Sequence, residues 1–236
     1  MAIKSTEEIC RITCFWIYIW RKEKRDEIAY HLHEAEKKRD YAKYNHLQPI
    51  LFYNFPRDKE RIMPTHLGNI LRAAEDYSHV VYGMDSVFWW SRLWFLLPDL
   101  VRNEVDESLV PMVALLNLTS LILIVAILEM GYFKCEGRDW YTCLMLFVGL
   151  ILIALLSYRA ATEQAKIYSN KYRATLDLYR FDLLKSLHQS LPKTLDEEIK
   201  LWDELMRWTY TGDRGSVANM MHNHDKKLLS IEHHKK

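Results

Sequence analysis

The residues with most potential for chemistry are two histidine pairs, His31-x-His33 and His222-x-His224, and two cysteines, Cys10 and Cys14. On a helix, residues i and i+2 point about 200° apart, so His31 and His33 cannot easily share one metal. The second pair has no cysteine or acidic set at ligand spacing. Both pairs read as surface histidines, and the two cysteines as packing residues in a reducing compartment. No metal or other cofactor is expected. The chain has no G-x-x-x-x-G-K-[ST], no G-x-S-x-G and no H-E-x-x-H, and its sparse glycines build no phosphate cradle. Nothing nominates a nucleophile, acid or base, so an enzyme is not the expectation.

Polar residues inside apolar sequence carry more information. Val110–Leu128 and Tyr141–Ser157 are free of charge over 19 and 17 residues. A bilayer core needs about 20 apolar residues in a helix, with a range of about 17–25. The alternative is a pair of buried helices in a soluble bundle. In the first block, Asn117, Ser120, Ile124 and Leu128 fall on one helical face, and Glu129 follows at its end. Polar groups in lipid face other helices or water. Two readings follow: interhelical hydrogen bonds that hold the helices or copies together, or a narrow pore with Glu129 at its outer mouth. On the residues alone the first is favoured. Two helices cannot enclose a conduit, so a pore would require a symmetric homo-oligomer.

Twelve residues, Glu129–Trp140, join the blocks, which makes a hairpin with both chain ends on one side. This loop carries Lys134 and Arg138 against three acidic residues, whereas Tyr158–Arg180 carries Arg159, Lys166, Lys171, Arg173 and Arg180. The positive-inside rule therefore puts both termini in the cytoplasm. Tyr132, Trp140 and Tyr141 fit an outer aromatic belt, with Trp94 and Tyr158 for the inner one. Cys135 and Cys143 flank the outer end and are placed to pair, though nothing requires it. The N-terminal apolar stretch lacks a small-residue cleavage site, so no cleavable signal is expected.

These features sit in a helix-rich frame. Gly 7 and Pro 6 in 236 residues are about half the average share, which excludes collagen-like and low-complexity chains. Lys+Arg 32 against Asp+Glu 31 gives a net charge of +1, so any affinity for nucleic acid or anionic membrane must be local. The 8 Trp and 14 Tyr argue for a folded chain with interfaces. The expected class is mainly all-α: a two-helix transmembrane hairpin, a long helical cytoplasmic extension and a small mixed cytoplasmic domain.

Residues 1–109 form the cytoplasmic N-terminal region, 110–157 the hairpin, 158–211 a helical stalk with a final helix, and 212–236 a loose His- and Lys-rich tail. Thr6–Tyr44 reads as one long helix whose start, Ile9–Trp20, is too short to span and suits an interface or a docking site. Leu47–Phe55, bounded by Pro49 and Pro56, reads as extended or re-entrant. Thr65 or Asn69 caps the next helix, and Ser86–Leu97 forms another, ended by Pro98. No Gly or Pro occurs from Ile151 to Leu191, and Tyr172, Leu176, Tyr179, Leu183 and Leu187 form an apolar stripe. Pro192 should break that helix, and Thr194-x-x-Glu197 opens the last one.

The stretch Pro64–Pro98 reads P-T-H-L-G-N-I-L-R-A-A-E-x-Y, then Y-G-x-D, W-x-R-L and L-L-P. It resembles a pattern in uncharacterised bacterial two-span membrane proteins, where it lies on the cytoplasmic side just before the hairpin. His66 stands where that pattern more often has Arg. The general plan looks like effectors of bacterial anti-phage systems, and among these it is similar to the Hailong channel effectors. That resemblance implies an inner-membrane tetrameric channel gated by a single-stranded DNA oligomer or nucleotide. The ligand would meet basic side chains among aromatic ones, of which Arg72, Arg92, Lys22 and Arg25 are candidates by residue type. The other reading is a non-conducting adaptor or scaffold anchored by the hairpin.

Overall fold

The computed structural model describes the backbone of residues 2–136 and 140–211, and the side chains of 18–132 and 140–211. The expectations for Ile9–Ile17, Cys10, Cys14, Lys134, Cys135, Arg138, His222, His224 and the tail concern side chains outside the described residues.

The fold is all-α: among the described residues every regular element is helical. The helices are α1 (Ala2–Lys37), α2 (Tyr41–Asn54), α3 (His66–Tyr82), α4 (Ser86–Trp94), α5 (Asp99–Glu136), α6 (Trp140–Ser186) and α7 (Leu195–Thr211), with a 3-10 turn at Lys59–Arg61. They form two compact units. Among the described residues, one comprises those of 2–73 and 103–172, and the other 74–102 and 173–211.

In the first unit, the long N-terminal helix expected from the sequence is two helices. Arg39 takes a left-handed φ of 54°, and Asp40 then caps α2 by accepting from the Lys43 N–H at 3.1 Å. The Asp40 N–H reaches back to the Ala35 carbonyl at 2.9 Å, which closes α1. Leu47–Asn54, expected to be extended, continues α2, with Pro49 inside the helix. Pro49 gives up one backbone donor without ending the helix.

α5 and α6 pair antiparallel in this unit. Ser157 Oγ donates to the Leu115 carbonyl at 3.0 Å, and Lys171 Nζ meets Glu104 Oε2 at 2.6 Å. A cluster of Leu67, Ile70, Met112, Ala161 and Ala165 packs the start of α3 against both helices, with Tyr158, Leu109 and Leu116 around it. Thr65, rather than Asn69, caps α3: its Oγ1 accepts from the Gly68 N–H at 3.0 Å. Asn69 is fully buried and holds the preceding loop, bonding both the N–H and the carbonyl of Met63 at 2.8 Å.

In the second unit, Trp89 and Trp202 are buried with ring centroids 5.5 Å apart. Tyr172 of the expected apolar stripe closes the first unit and is buried; in the second, Leu176 and Leu183 are buried, with Tyr179 and Leu187 half-buried. α6 closes at Ser186, short of Pro192: His188 turns left-handed at φ 55°, and the Gln189 N–H reaches the Leu184 carbonyl at 3.0 Å. The final helix opens where Thr194 predicts. Thr194 Oγ1 accepts from the Glu197 N–H at 3.3 Å, and Glu197 reaches back to the N–H of Lys193 at 2.7 Å.

Gly83 ends α3 at φ 76°, and a Cβ there would stand 3.0 Å from the Ile199 Cα. Both the backbone conformation and the space exclude a side chain. Gly83→Ala is expected to destabilise the second unit by about 1–3 kcal/mol, read as a lower thermal midpoint of the detergent-solubilised chain. An unchanged midpoint would refute the close approach of α7.

Candidate functional site

Two helices, α5 and α6, are long and apolar enough to cross a membrane. Only 11% of the most apolar stretch of each is buried, which separates them from the core helices of a soluble bundle. The contacts inside the hairpin use small and hydroxylated residues. Ala126 and Ala154 are buried, and Ser157 and Thr119 both donate to the Leu115 carbonyl.

Asn117, Ser120 and Ile124 lie outside that seam and are exposed. The Ser120 hydroxyl is occupied by the Leu116 carbonyl of its own helix, at 3.0 Å. Glu129 is half-buried near the far end, with one carboxylate oxygen shielded and unbonded. The polar face of α5 is thus open to its surroundings or to another copy, and does not join α5 to α6. Tyr132, Trp140 and Tyr141 are exposed at the turn of the hairpin. Cys143 is a free thiol, and the side chain of Cys135 lies outside the described residues.

The basic candidates are held in different ways. Arg25 is buried: Nη2 donates to the Arg57 carbonyl at 2.6 Å and Nη1 to Asp26 at 3.3 Å. Lys22 lies over the Tyr18 ring at 6.0 Å. Arg72 is half-buried on α3 in the first unit. Arg92 belongs to the second unit, stacked over Phe88 at 4.2 Å and donating to the Phe88 carbonyl at 3.1 Å. Of the four, Lys22 and Arg25 share α1. Arg25 and Arg92 each spend donors on nearby carbonyls, which leaves them fewer for a phosphate. His31 and His33 each face a separate carboxylate, Glu34 and Glu36.

Residue type alone did not single out two further groups. In the second unit Asp177 accepts from Tyr82 at 2.9 Å and from Tyr77 at 3.1 Å. Burial, then the bond to Tyr82 and the Asp177 charge, push the Tyr77 phenol well above its ordinary range, so it remains a donor. Arg180 lies over Tyr82 at 4.0 Å, donates to the Asp177 carbonyl and pairs with the buried Glu198 at 2.8 Å. The spacing Asp177-x-x-Arg180 on one helix was the available signal.

The other group surrounds His66 in the first unit. Burial, then the charges of Arg21, Lys166 and Lys24, hold the His66 imidazole down at about 4, with Glu163 opposing them. The neutral ring is therefore the folded form. Because the folded value lies below the unfolded one, the associated stability is present above about pH 6.5 and is lost as pH falls from there toward 4. Thermal midpoints of the wild-type chain should fall across that window relative to His66→Gln. Parallel curves would exclude the effect.

Compared with protein-family models, with curated proteins and with solved structures, the chain matches none of them.

Proposed function

We propose that the chain is an inner-membrane protein of bacteria that assembles as a homo-oligomer and conducts ions under the control of its helical cytoplasmic part. The observation that carries the reading is the outward-facing Asn117 and Ser120 on a helix whose apolar surface is otherwise bare. An amide facing lipid is costly, and symmetric assembly turns that face toward an axis instead. In this arrangement Asn117, Ser120 and Ile124 line the path and Glu129 attracts cations at its outer mouth. The exposed Tyr132, Trp140 and Tyr141 suit the outer headgroup region, and the basic excess after Ser157 suits the cytoplasmic side.

The likeness of the general plan, a small cytoplasmic part on a two-helix hairpin, to anti-phage channel effectors favours a tetramer and a nucleotide or single-stranded DNA as the gating ligand. Arg72, Lys22, Arg25 and Arg92 are the candidates for such a ligand; Arg25 and Arg92 would first have to release carbonyls. The decisive experiment is planar-bilayer recording on the purified oligomer with and without a DNA oligomer. Ligand-dependent current is expected. A well-inserted oligomer with no current under either condition would establish a non-conducting anchor or scaffold.

Sidedness is tested separately. A reporter at Cys135 should be extracytoplasmic, and reporters after Tyr44 and at the C-terminus cytoplasmic. Opposite sides for the two termini would overturn the hairpin.

A further inference from the structure

The end of the apolar hairpin is marked by Tyr158, which follows Ser157 directly. Its hydroxyl accepts from the Leu67 N–H at 3.4 Å, so His66, the first residue of α3, lies at the same level. α1 brings cations to this place. The Arg21 guanidinium lies over the Trp20 ring at 4.7 Å and Lys24 Nζ at 5.4 Å, while Trp20 itself is half exposed. α6 adds Lys166, whose Nζ bonds Glu163 at 2.7 Å. Arg25, one turn further along α1, donates to the Arg57 carbonyl, and Phe55 of the same loop has its ring 6.5 Å from that of His66. The charges of Arg21, Lys24 and Lys166 outweigh that of Glu163 at the imidazole, which is neutral. Two polar atoms here are shielded from water and unbonded: Arg21 Nε and His66 Nδ1. A shielded guanidinium donor without a partner, among net positive charge, calls for an anion with several oxygens, which His66 also meets when Nδ1 carries its proton.

We propose that Arg21, Lys24 and Lys166, grouped around His66, bind the phosphate of an anionic phospholipid headgroup in the cytoplasmic leaflet. The assignment to lipid rests on the membrane reading above. It follows from the level of the site, at the end of the apolar stretch, and from Trp20, an amphipathic ring suited to the headgroup region. Glu163 holds part of the Lys166 charge. Lys22 is turned onto Tyr18 and is not among the charges acting on His66.

The test uses the full chain, solubilised in detergent and then titrated with phosphatidylglycerol, phosphatidylcholine or inorganic phosphate. Retained lipid is read by native mass spectrometry and stabilisation by thermal midpoint. Phosphatidylglycerol should be retained and should stabilise, and phosphatidylcholine should do neither. Each cation near a membrane surface contributes a factor of about five, so Arg21→Gln with Lys24→Gln should weaken phosphatidylglycerol binding about thirtyfold. Lys24→Gln alone, an exposed position that leaves folding intact, should weaken it about fivefold. Lys22→Gln should leave it unchanged. Equal stabilisation by inorganic phosphate would overturn the lipid assignment. Equal retention of both lipids, by a chain that resists alkaline extraction from membranes, would overturn the site and leave the membrane reading standing. A chain released by alkali would overturn the membrane reading itself.

Discussion

Replacing Asn117 and Ser120 together by Leu is expected to reduce unitary conductance about tenfold, equivalent to roughly 1.4 kcal/mol of added barrier for the ion. The two side chains are exposed on α5, away from the seam where Ser157 bonds the Leu115 carbonyl. Their loss therefore leaves the hairpin itself intact. If the proposed path runs along this face, an apolar ring at this level would narrow it and remove the groups that replace water around the ion. The competing role is adhesion between copies. Interhelical hydrogen bonds in membranes contribute about 0.6 kcal/mol on average, and up to about 2. Such a loss, repeated around a ring, would appear as dissociation. Conductance and oligomer size measured on the same preparation decide between the two. Full assembly with low current identifies pore lining; disassembly at normal membrane insertion identifies adhesion, and the conducting role would then lose its main support. Asn117→Ser, which keeps a polar group, should recover much of the current.

The two apolar helices and the Thr194 cap are local properties, and they appear in the structure where composition and spacing placed them. The breaks at Lys37 and Ser186 do not. Both helices close with the same backbone pattern, an N–H reaching back five residues: Asp40 to Ala35, and Gln189 to Leu184. That pattern usually has Gly at its left-handed position. Here the position is filled by Arg39 and His188, side chains that give no warning of a turn. Pro49 misleads in the opposite sense, because a helix can absorb one missing donor when its neighbours hold it. For the candidate site, residue type identified cations but not their partners. Arg25 and Arg21 look alike in sequence, four residues apart. Both keep a shielded, unbonded Nε, but only Arg25 is anchored through Nη2 to the Arg57 carbonyl, whereas Arg21 lies over the Trp20 ring. That difference depends on the loop at Arg57 and on the start of α3, both distant along the chain.

Glu198→Ala is expected to destabilise the second unit by about 3–5 kcal/mol, the usual consequence of removing one partner from a buried ion pair. Glu198 is almost fully buried, and its Oε1 serves two donors, Arg180 Nε at 2.8 Å and Trp202 Nε1 at 3.4 Å. Without it the guanidinium remains enclosed between the rings of Tyr82 and Phe181, at 4.0 and 4.2 Å. Stacking offsets only part of that charge, at about 2 kcal/mol or more when desolvated. Glu198→Gln keeps an acceptor at the same place and should cost less, about 1–3 kcal/mol. Arg180→Met alone strands the carboxylate and should resemble Glu198→Ala. Arg180→Met combined with Glu198→Leu removes both charges and should recover most of the loss, because a buried pair contributes little against apolar residues of similar size. Thermal midpoints of these variants and of Glu198→Leu alone, in one detergent, complete the cycle. Additive losses in the double variant would mean that Arg180 and Glu198 act independently, and that Glu198 is retained for its bond to Trp202. Strong coupling would place the pair at the centre of the unit.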